Sequence, residues 1–350
     1  MNFFSFFLSV KFSNISALNL FIVFLLVGTS GFSSPYILHD NISLVKVHDK
    51  TISNVLIYGG DKPCIYLKDC HDIHITKSMF TDSRASSAAI HIVNCYNIYI
   101  DKCIIKNSVR GIAAHNCTNN IKVISNCLAD FADPNLYNNN GGGNAVQFSG
   151  CKGSGLCIDS NLIYERNPNI YIGDQISLYR DTGTINSPIH VWYNKLRGGS
   201  TSTAGFAGIV LGDTGGQYQD AEFNIVVSTG TQGMMVAGGT YITMCNNQIY
   251  GEYSPVSAAG IMYFNNTGSY GSTFAPSNNI KIAYNKINWT DHNHKIDNAW
   301  WNTKNGTTLP EGWATNTLGS IGDYSVTDSI LPRVLFDVEQ GNKNGNKKIK

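Results

Sequence analysis

A short motif recurs along this chain, and the repeat constrains the fold more than any other feature of the sequence. Each copy has a small or polar residue, alternating apolar positions and a polar or cysteine turn, and copies start at residues 64, 89, 111, 145, 175, 208, 233 and 260. The spacing therefore ranges from 22 to 34 residues. Because apolar and polar positions alternate, each copy is predicted to be a strand with one buried face.

A second motif lies between these copies and reads x-Ile-x-Ile-x-x-Asn, with conservative replacements. Its last position is occupied by Cys103 and then by Asn126, Asn161, Asn194, Asn247 and Asn285. The segment 218–224 fits this spacing less well. Asparagine tolerates left-handed backbone and can hydrogen-bond to an identical residue in the next layer. The pattern therefore predicts a ladder of stacked asparagines at one turn.

The repeat length holds two or three short strands and their turns, and it leaves no room for a crossover helix. Identical strands stacked at such a period form a solenoid with a continuous core. Leucine-rich repeats are the nearest alternative, but their leucines and their helix are missing. Propeller blades need about 40 residues or more. The sequence thus predicts an all-β fold, a right-handed parallel β-helix of about eight or more coils.

Four cysteines share one position in successive copies of the first motif, and they are Cys70, Cys95, Cys117 and Cys151. Neighbouring coils lie ~4.8 Å apart, so disulfides between coils are possible on distance. Small buried thiols also pack well at such a position. Both alternatives stay open, and we favour a ladder of buried thiols.

Residues 1–34 have the pattern of a Sec-type signal peptide. Lys11 precedes the apolar run 17–27, and small residues follow at 28–31. The run is short for a membrane span, which needs ~20 apolar residues, although an uncleaved N-terminal anchor remains an alternative. We therefore expect a secreted, periplasmic or cell-surface protein with no stable membrane span after cleavage.

The rest of the chain divides into the β-helix, at residues 35–300, and a C-terminal cap with a flexible tail, at residues 301–350. Trp300, Trp301 and Trp313 are expected to cover the end of the core, because a terminal coil must hide its apolar face. The formal net charge is only +1, which argues against nucleic acid as a partner.

The third and fifth positions of the first motif are predicted to point outward from the helix. Read along the axis, they form a polar and aromatic stripe at the N-terminal end that becomes more apolar toward the C-terminal end. Such a stripe suits a polysaccharide, although its residues are alternatively plain solvent-facing positions. The predicted substrate-binding residues are Lys68, His91, Gln147, Ser177 and, outside this motif, Arg197.

The stretches 174–180, 187–199 and 212–213 resemble the pectate-lyase-like superfamily, and specifically its exported bacterial β-helix repeat proteins. The resemblance covers about residues 45 to 290. It implies either an enzyme of acidic polysaccharides, such as a lyase, hydrolase or epimerase, or a tailspike or adhesin. The chain lacks the Gly-His-Gly and Asn-Thr-Asp runs of polygalacturonases, the Asp-Pro-His-Glu run of mannuronan epimerases and the Trp-x-Asp-His run of pectate lyases.

Both types of cleavage have candidate residues in the middle coils. For β-elimination, Arg180 is expected to neutralise the uronate carboxylate, and Tyr179 or His115 to act as base or acid. Aspartates, with Asp181 as the predicted metal ligand, are candidates for holding Ca²⁺. A hydrolase would instead need two carboxylates flanking the bond. Its candidates are Asp174, Asp181 and Asp213.

Two functions therefore remain open at the level of the sequence. The first is an exported carbohydrate-active β-helix that acts on an extracellular, acidic polysaccharide, with a lyase favoured over a hydrolase. The second is a non-catalytic surface protein of the adhesin type that binds glycan or forms a rigid rod. The identity of the polysaccharide, the requirement for Ca²⁺ and the oligomeric state are not determined by the residues.

Overall fold

The computed structural model describes residues 36–84, 88–131, 143–165, 172–199, 203–264, 278–296, 299–301 and 308–319. They all belong to one compact unit. The predicted signal peptide and most of the predicted C-terminal tail lie outside the described residues.

The described residues form thirty short strands. The first ten are β1 (Ile37–Leu38), β2 (Ile42–Val45), β3 (His48–Ser53), β4 (Val55–Gly60), β5 (Ile65–Lys68), β6 (His71–Thr76), β7 (Met79–Ser83), β8 (Ile90–Val93), β9 (Tyr96–Asp101) and β10 (Ile104–Ser108). The next ten are β11 (Ile112–His115), β12 (Ile121–Ile124), β13 (Cys127–Phe131), β14 (Val146–Ser149), β15 (Cys157–Asp159), β16 (Leu162–Tyr164), β17 (Ile176–Tyr179), β18 (Ile189–Trp192), β19 (Lys195–Arg197) and β20 (Phe206–Asp213). The last ten are β21 (Gln217–Glu222), β22 (Ile225–Val227), β23 (Gly230–Val236), β24 (Thr240–Cys245), β25 (Gln248–Gly251), β26 (Ala259–Tyr263), β27 (Asn278–Ala283), β28 (Lys286–Trp289), β29 (Ala299–Trp301) and β30 (Thr317–Leu318).

Every third strand pairs in parallel as far as β29, and β30 pairs with β28, which gives three long sheets. Sheet A has eleven strands in the order β1-β4-β7-β10-β13-β16-β19-β22-β25-β28-β30. Sheet B has ten, from β2 to β29, and sheet C has nine, from β3 to β27. Each coil therefore runs through sheet B, sheet C and sheet A before the chain moves to the next layer. The predicted right-handed parallel β-helix is confirmed.

The core is a single apolar column inside the three sheets. Strands alternate between buried and more exposed residues, as in β5, where Ile65 and Leu67 are buried while Lys68 is exposed. Most buried apolar side chains form one cluster that extends from Ile52 to Trp289, and Ala207, Val210 and Ala237 form a second, small one. Each isoleucine or leucine buried in this way contributes about 2 kcal/mol, so the alternation opposes a shift of any strand by one residue.

The asparagine ladder runs along the corner between sheets C and A. Each ladder side chain accepts the backbone N–H of the ladder residue in the preceding coil, as Asn194 Oδ1 does from Asn161 at 2.9 Å. Its amide donates to a core carbonyl, as Asn194 Nδ2 does to Ile158 at 2.8 Å. The ladder prediction is confirmed, and the structure adds Asn224 and Asn316 to it. Segment 218–224 therefore belongs to the regular pattern despite its uneven spacing.

The cysteine positions form a second ladder, at the corner between sheets B and C. The backbone N–H of Cys70 points to Cys95 Sγ at 3.2 Å, and that of Cys95 to Cys117 Sγ at 3.5 Å. All nine cysteines are free thiols, and burial raises the pKa of Cys95 to about 12. Of the two alternatives, the structure therefore has the thiol ladder.

The C-terminal end extends past the predicted limit at residue 300, because β30 pairs with β28 in sheet A. A short 3-10 helix, Trp313–Thr315, precedes β30. Trp313 packs against the core cluster, as expected for a residue that covers the last coil. Trp300 and Trp301 lie in β29, which pairs with β26.

Candidate functional site

The outer face of sheet B carries most of the predicted site residues in two aligned rows. The strand pairing places Tyr66, His91, Ala113, Gln147 and Ser177 in one row. The second row passes through Lys68, Val93, His115, Ser149 and Tyr179. Successive members of a row are ~4.8 Å apart along the axis. The two rows thus form a continuous surface across five coils.

Access to this face changes along the axis. Lys68 is exposed, while His91, His115 and Gln147 are half-buried. Further along, Ser177 is only 1% exposed and Val210 is fully buried. The Ser177 hydroxyl is buried with no hydrogen-bond partner. The first row is therefore covered at Ser177 and Val210, whereas the second row stays half-exposed as far as Tyr179 and Asp213.

Three aromatic rings contact one another from the first row to the second. The ring of Tyr66 lies 5.4 Å from that of His91, and His91 meets His115 edge to face at 5.1 Å. Burial, with the charges of His115 and Arg110, lowers the pKa of His91 to about 4. Burial and Arg110 also lower the pKa of His115. At neutral pH both imidazoles are therefore uncharged beside a guanidinium, and each has a nitrogen able to accept a proton.

Tyr179 and Arg180 lie two coils beyond His115, at the end of β17. Tyr179 is half-buried in the second row, and the Arg180 guanidinium carbon lies 5.1 Å from the centre of its ring. Arg180 occupies the left-handed turn position, with φ of 59°, and its Nε donates to Thr214 Oγ1 at 3.2 Å. Burial raises the pKa of Asp213, and the positive charge of Arg180 opposes this shift. The structure thus brings Tyr179, Arg180 and Asp213 together.

Asp174 lies just before β17, and its Oδ1 accepts the backbone N–H of Ala207 at 3.3 Å. Burial and the charge of Asp213 raise its pKa to about 7. A carboxyl of this kind is partly protonated at neutral pH, which is the state a general acid requires.

Asp181 does not lie on the outer face, so the prediction that it binds metal there is corrected. It is fully buried at the corner between sheets B and C, directly above Cys151. Its Oδ1 accepts the backbone N–H of Cys151 at 2.6 Å, which is the role that cysteine sulfur has in earlier coils. Burial raises the pKa of Asp181 well above its usual value, so the side chain is a protonated member of the ladder.

Arg197 lies in β19 of sheet A rather than on sheet B. Its carbonyl accepts a hydrogen bond at 3.1 Å from Nε2 of Gln175, which lies at the start of the same coil. The predicted substrate role of Arg197 therefore concerns the corner between sheets A and B, apart from the two rows.

Sequence reasoning missed Arg110 because it stands outside the repeated motif, immediately before Gly111. It also missed the outer face of sheet C, where Asp159, Asp220 and Glu222 occupy the alternate positions of β15 and β21. The same alternation that identified the stripe on sheet B would have found these carboxylates, if it had been applied to the second motif.

Among the described residues, no three or more His, Cys, Asp or Glu side chains are placed to hold a metal ion together. That aspartates other than Asp181 hold Ca²⁺ stays a hypothesis. No helix in the described part of the chain has the length and hydropathy of a membrane span.

Comparison with known proteins gives little beyond this geometry. No protein-family model matches the chain, and no curated protein matches it. Among solved structures, the chain is similar to the catalytic unit of a thermostable GH87 alpha-1,3-glucanase from Streptomyces thermodiastaticus strain HF3-3, with 12% identity and a TM-score of 0.24. The match covers 79% of this chain and 65% of that one. At this score, neither residues nor chemistry can be transferred.

Proposed function

We propose that this protein is an exported, carbohydrate-active β-helix that binds an acidic polysaccharide along the outer face of sheet B and cleaves it by β-elimination. One observation carries the proposal, namely that two uncharged histidines, His91 and His115, lie next to the cation of Arg110 on an accessible part of this face. A uronate polymer supplies the matching groups, because it has a carboxylate beside an acidic C–H bond.

The chemistry assigns a role to each group. Arg110 neutralises the uronate carboxylate, which lowers the pKa of the neighbouring C5 proton. The neutral imidazole of His115 accepts that proton, the electron pair forms the C4–C5 double bond, and the C4–O bond breaks. A tyrosine hydroxyl, from Tyr66 or Tyr179 on either side, protonates the leaving oxygen. Lys68, at the exposed end of the row, binds a further carboxylate of the polymer.

A hydrolase is the second candidate, and the pair Asp174 and Asp213 favours it. Burial and the charge of Asp213 raise the pKa of Asp174 to about 7, which suits the acid of such a pair. The products distinguish the reactions, since hydrolysis forms new reducing ends without a C4–C5 double bond.

The test is incubation of the purified protein with polygalacturonate, alginate, hyaluronan and neutral glycans, with and without Ca²⁺. Unsaturated-uronate absorbance and reducing ends are followed together. We expect both signals on a uronate polymer, and H115Q to lower kcat by about a hundredfold or more, the usual contribution of a general base. H48Q is the control, because His48 is an exposed histidine of sheet C. Binding without either signal would leave only the glycan-binding role.

The pH profile tests the electrostatic part of the proposal. His115 must be unprotonated to act as base, so the rate rises with pH through its pKa, which lies below the ordinary 6.5. The R110Q variant removes the positive charge that helps depress this pKa. Its acidic limb should therefore move to higher pH, while an unmoved limb would contradict the role of Arg110.

Export through residues 1–34 is tested separately. The full chain is expressed in a bacterial host, and the N-terminus of the protein outside the cytoplasm is sequenced. A start near residue 35 is expected. An intact N-terminus in the membrane fraction would instead indicate an uncleaved anchor.

A further inference from the structure

The outer face of sheet C has a different chemistry from that of sheet B. Strand pairing aligns Asp159, Trp192 and Glu222 in one row across three coils. Asp220 aligns with His190 in the adjacent row. Three carboxylates therefore share a patch three coils wide.

The carboxylates of this patch are held in a partly desolvated setting. Burial raises the pKa of Asp159 to about 6, and burial together with the charge of Glu222 raises that of Asp220 to about 6. Lys281 lies further along the row of Asp220, and its Nζ is 3.8 Å from Glu311 Oε1 in an ion pair. Lys122 borders the patch on the N-terminal side and lowers the pKa of Asp159. At neutral pH the patch is therefore negatively charged.

Exposed aromatic rings flank these carboxylates at both ends of the strands. At one end Tyr193 stacks on Phe223, with ring centres 5.1 Å apart, and at the other end Tyr218 stacks on Tyr241 at 4.8 Å. Tyr193, Phe223 and Tyr241 are 54%, 43% and 47% exposed, so core packing does not account for them. Within the patch, Trp192 stacks on His190 at 3.9 Å.

All four flanking rings stand at left-handed backbone positions, with φ between 54° and 57°. This conformation is unfavourable for bulky residues. Earlier coils place Ser125 and Ser160 at the position of Tyr193, and Asn97 and Asn120 at the position of Tyr218. The four aromatic residues thus replace better-suited ones at a cost to the backbone and without being buried, and Tyr284 does the same in a later coil. A binding role explains this choice.

We propose that this acidic–aromatic face binds a polysaccharide that carries free amino groups. The face consists of Asp159, Trp192, Tyr193, Tyr218, Asp220, Glu222, Phe223 and Tyr241. Pyranose rings have apolar faces that pack against aromatic side chains, and ammonium groups pair with carboxylates. The choice of an amino-sugar polymer follows from charge, because a uronate chain would be repelled here. The proposal is independent of the cleavage proposed on sheet B.

The test measures binding of a glucosamine hexamer to the full-length protein near neutral pH by isothermal titration calorimetry. We expect the D220N/E222Q variant to bind about tenfold more weakly or worse, since each charge-assisted contact has about this value. The Y193S/F223S variant should lose a similar factor. Both substitutions in it restore the residue type that Ser125 and Ser160 provide in equivalent turns, so the fold is retained.

Two comparisons determine whether the face itself is responsible. Y58S removes an exposed tyrosine of sheet A and should leave binding unchanged. The fully N-acetylated hexamer should bind more weakly than the free amine. Equal affinity for the two hexamers, no binding of either, or binding that the face variants do not change would overturn the proposal. Self-association that is lost in Y193S/F223S would also overturn it, by assigning the face to a second copy of the chain.

Discussion

The two corners that flank sheet C solve the same structural problem with different side chains. At the corner between sheets C and A, asparagine fills the ladder from Asn126 to Asn316, and each amide both accepts and donates. At the corner between sheets B and C, sulfur takes the place of the amide, and the series ends at the carboxyl of Asp181. One Asp181 oxygen is buried with no hydrogen-bond partner.

This difference shows which corner fixes the register of the coils. An amide satisfies two buried backbone groups on neighbouring coils, whereas a thiol is a weak donor and a weak acceptor. We therefore expect the asparagine corner to contribute more to stability and the cysteine corner to tolerate substitution.

The largest effect is expected for N194A, which removes the centre of the asparagine ladder. Asn194 is fully buried, and its loss leaves the Asn161 N–H and the Ile158 carbonyl without their partner. We expect the free energy of unfolding to fall by about 3 kcal/mol, measured by urea denaturation. N194S is the matched variant, because Ser78 already serves this ladder by accepting the N–H of Val55. It should recover part of the loss, and equal losses would argue against the hydrogen bonds as the cause.

The next largest effect is a gain in stability, expected for D181N. This substitution makes the end of the cysteine corner resemble the asparagine corner. The pKa of Asp181 is raised in the folded state from 3.8. Above pH 3.8 the unfolded chain releases this proton while the folded chain keeps it, so the wild type loses stability as pH rises through the folded pKa. D181N lacks this loss and should be more stable by about 2 kcal/mol at neutral pH.

Urea denaturation of both proteins between pH 3 and pH 8 checks this expectation, with D40N as the control at an exposed aspartate. The stability curves of D181N and wild type should converge at the acid end. A difference that stays constant with pH would show that the effect is unrelated to ionisation.

A smaller effect is expected for C117A. The Cys117 sulfur accepts the N–H of Cys95 at 3.5 Å, a weak hydrogen bond. We expect a loss of about 1 kcal/mol in urea denaturation, mostly from lost packing. A loss as large as that of N194A would remove the proposed difference between the two corners.

The smallest effect is a second gain in stability, expected for Y284N. Tyr284 is 59% exposed at a left-handed position of the asparagine corner, outside the acidic–aromatic face. Asparagine adopts this conformation more readily, so the midpoint of thermal unfolding should rise by an amount equivalent to about 0.5 kcal/mol. A lower midpoint would mean that the exposed ring stabilises the fold, and would weaken the same argument for Tyr193.

The sequence predicts the coils and both ladders because each depends on local alternation and on a repeated turn residue. It places His91, His115 and Tyr179 correctly on one face for the same reason. Sequence reasoning fails for Asp181, because a charged residue suggests a surface site. Comparison with the cysteines at the same position of earlier coils would have placed it in the ladder. Sequence reasoning also misses Arg110, since nothing in a single sequence shows that this turn residue lies close to His91 and His115.

The corner between sheets C and A differs from the other two in how little its length varies. At the corner between sheets A and B, only three residues connect Ser108 of β10 to β11, whereas fourteen connect Phe131 of β13 to β14, yet the paired strands keep their alignment. At the corner between sheets C and A, in contrast, one left-handed turn residue precedes the asparagine in each coil, from Ser125 in the first of these coils to Tyr284 in the last. Long connections thus occur at both edges of sheet B, since fourteen residues also lie between Tyr263 of β26 and β27, but not at the asparagine corner. For protein engineering, these two edges are where foreign loops can be grafted without disturbing the scaffold, so that new recognition surfaces can be selected on a fixed frame.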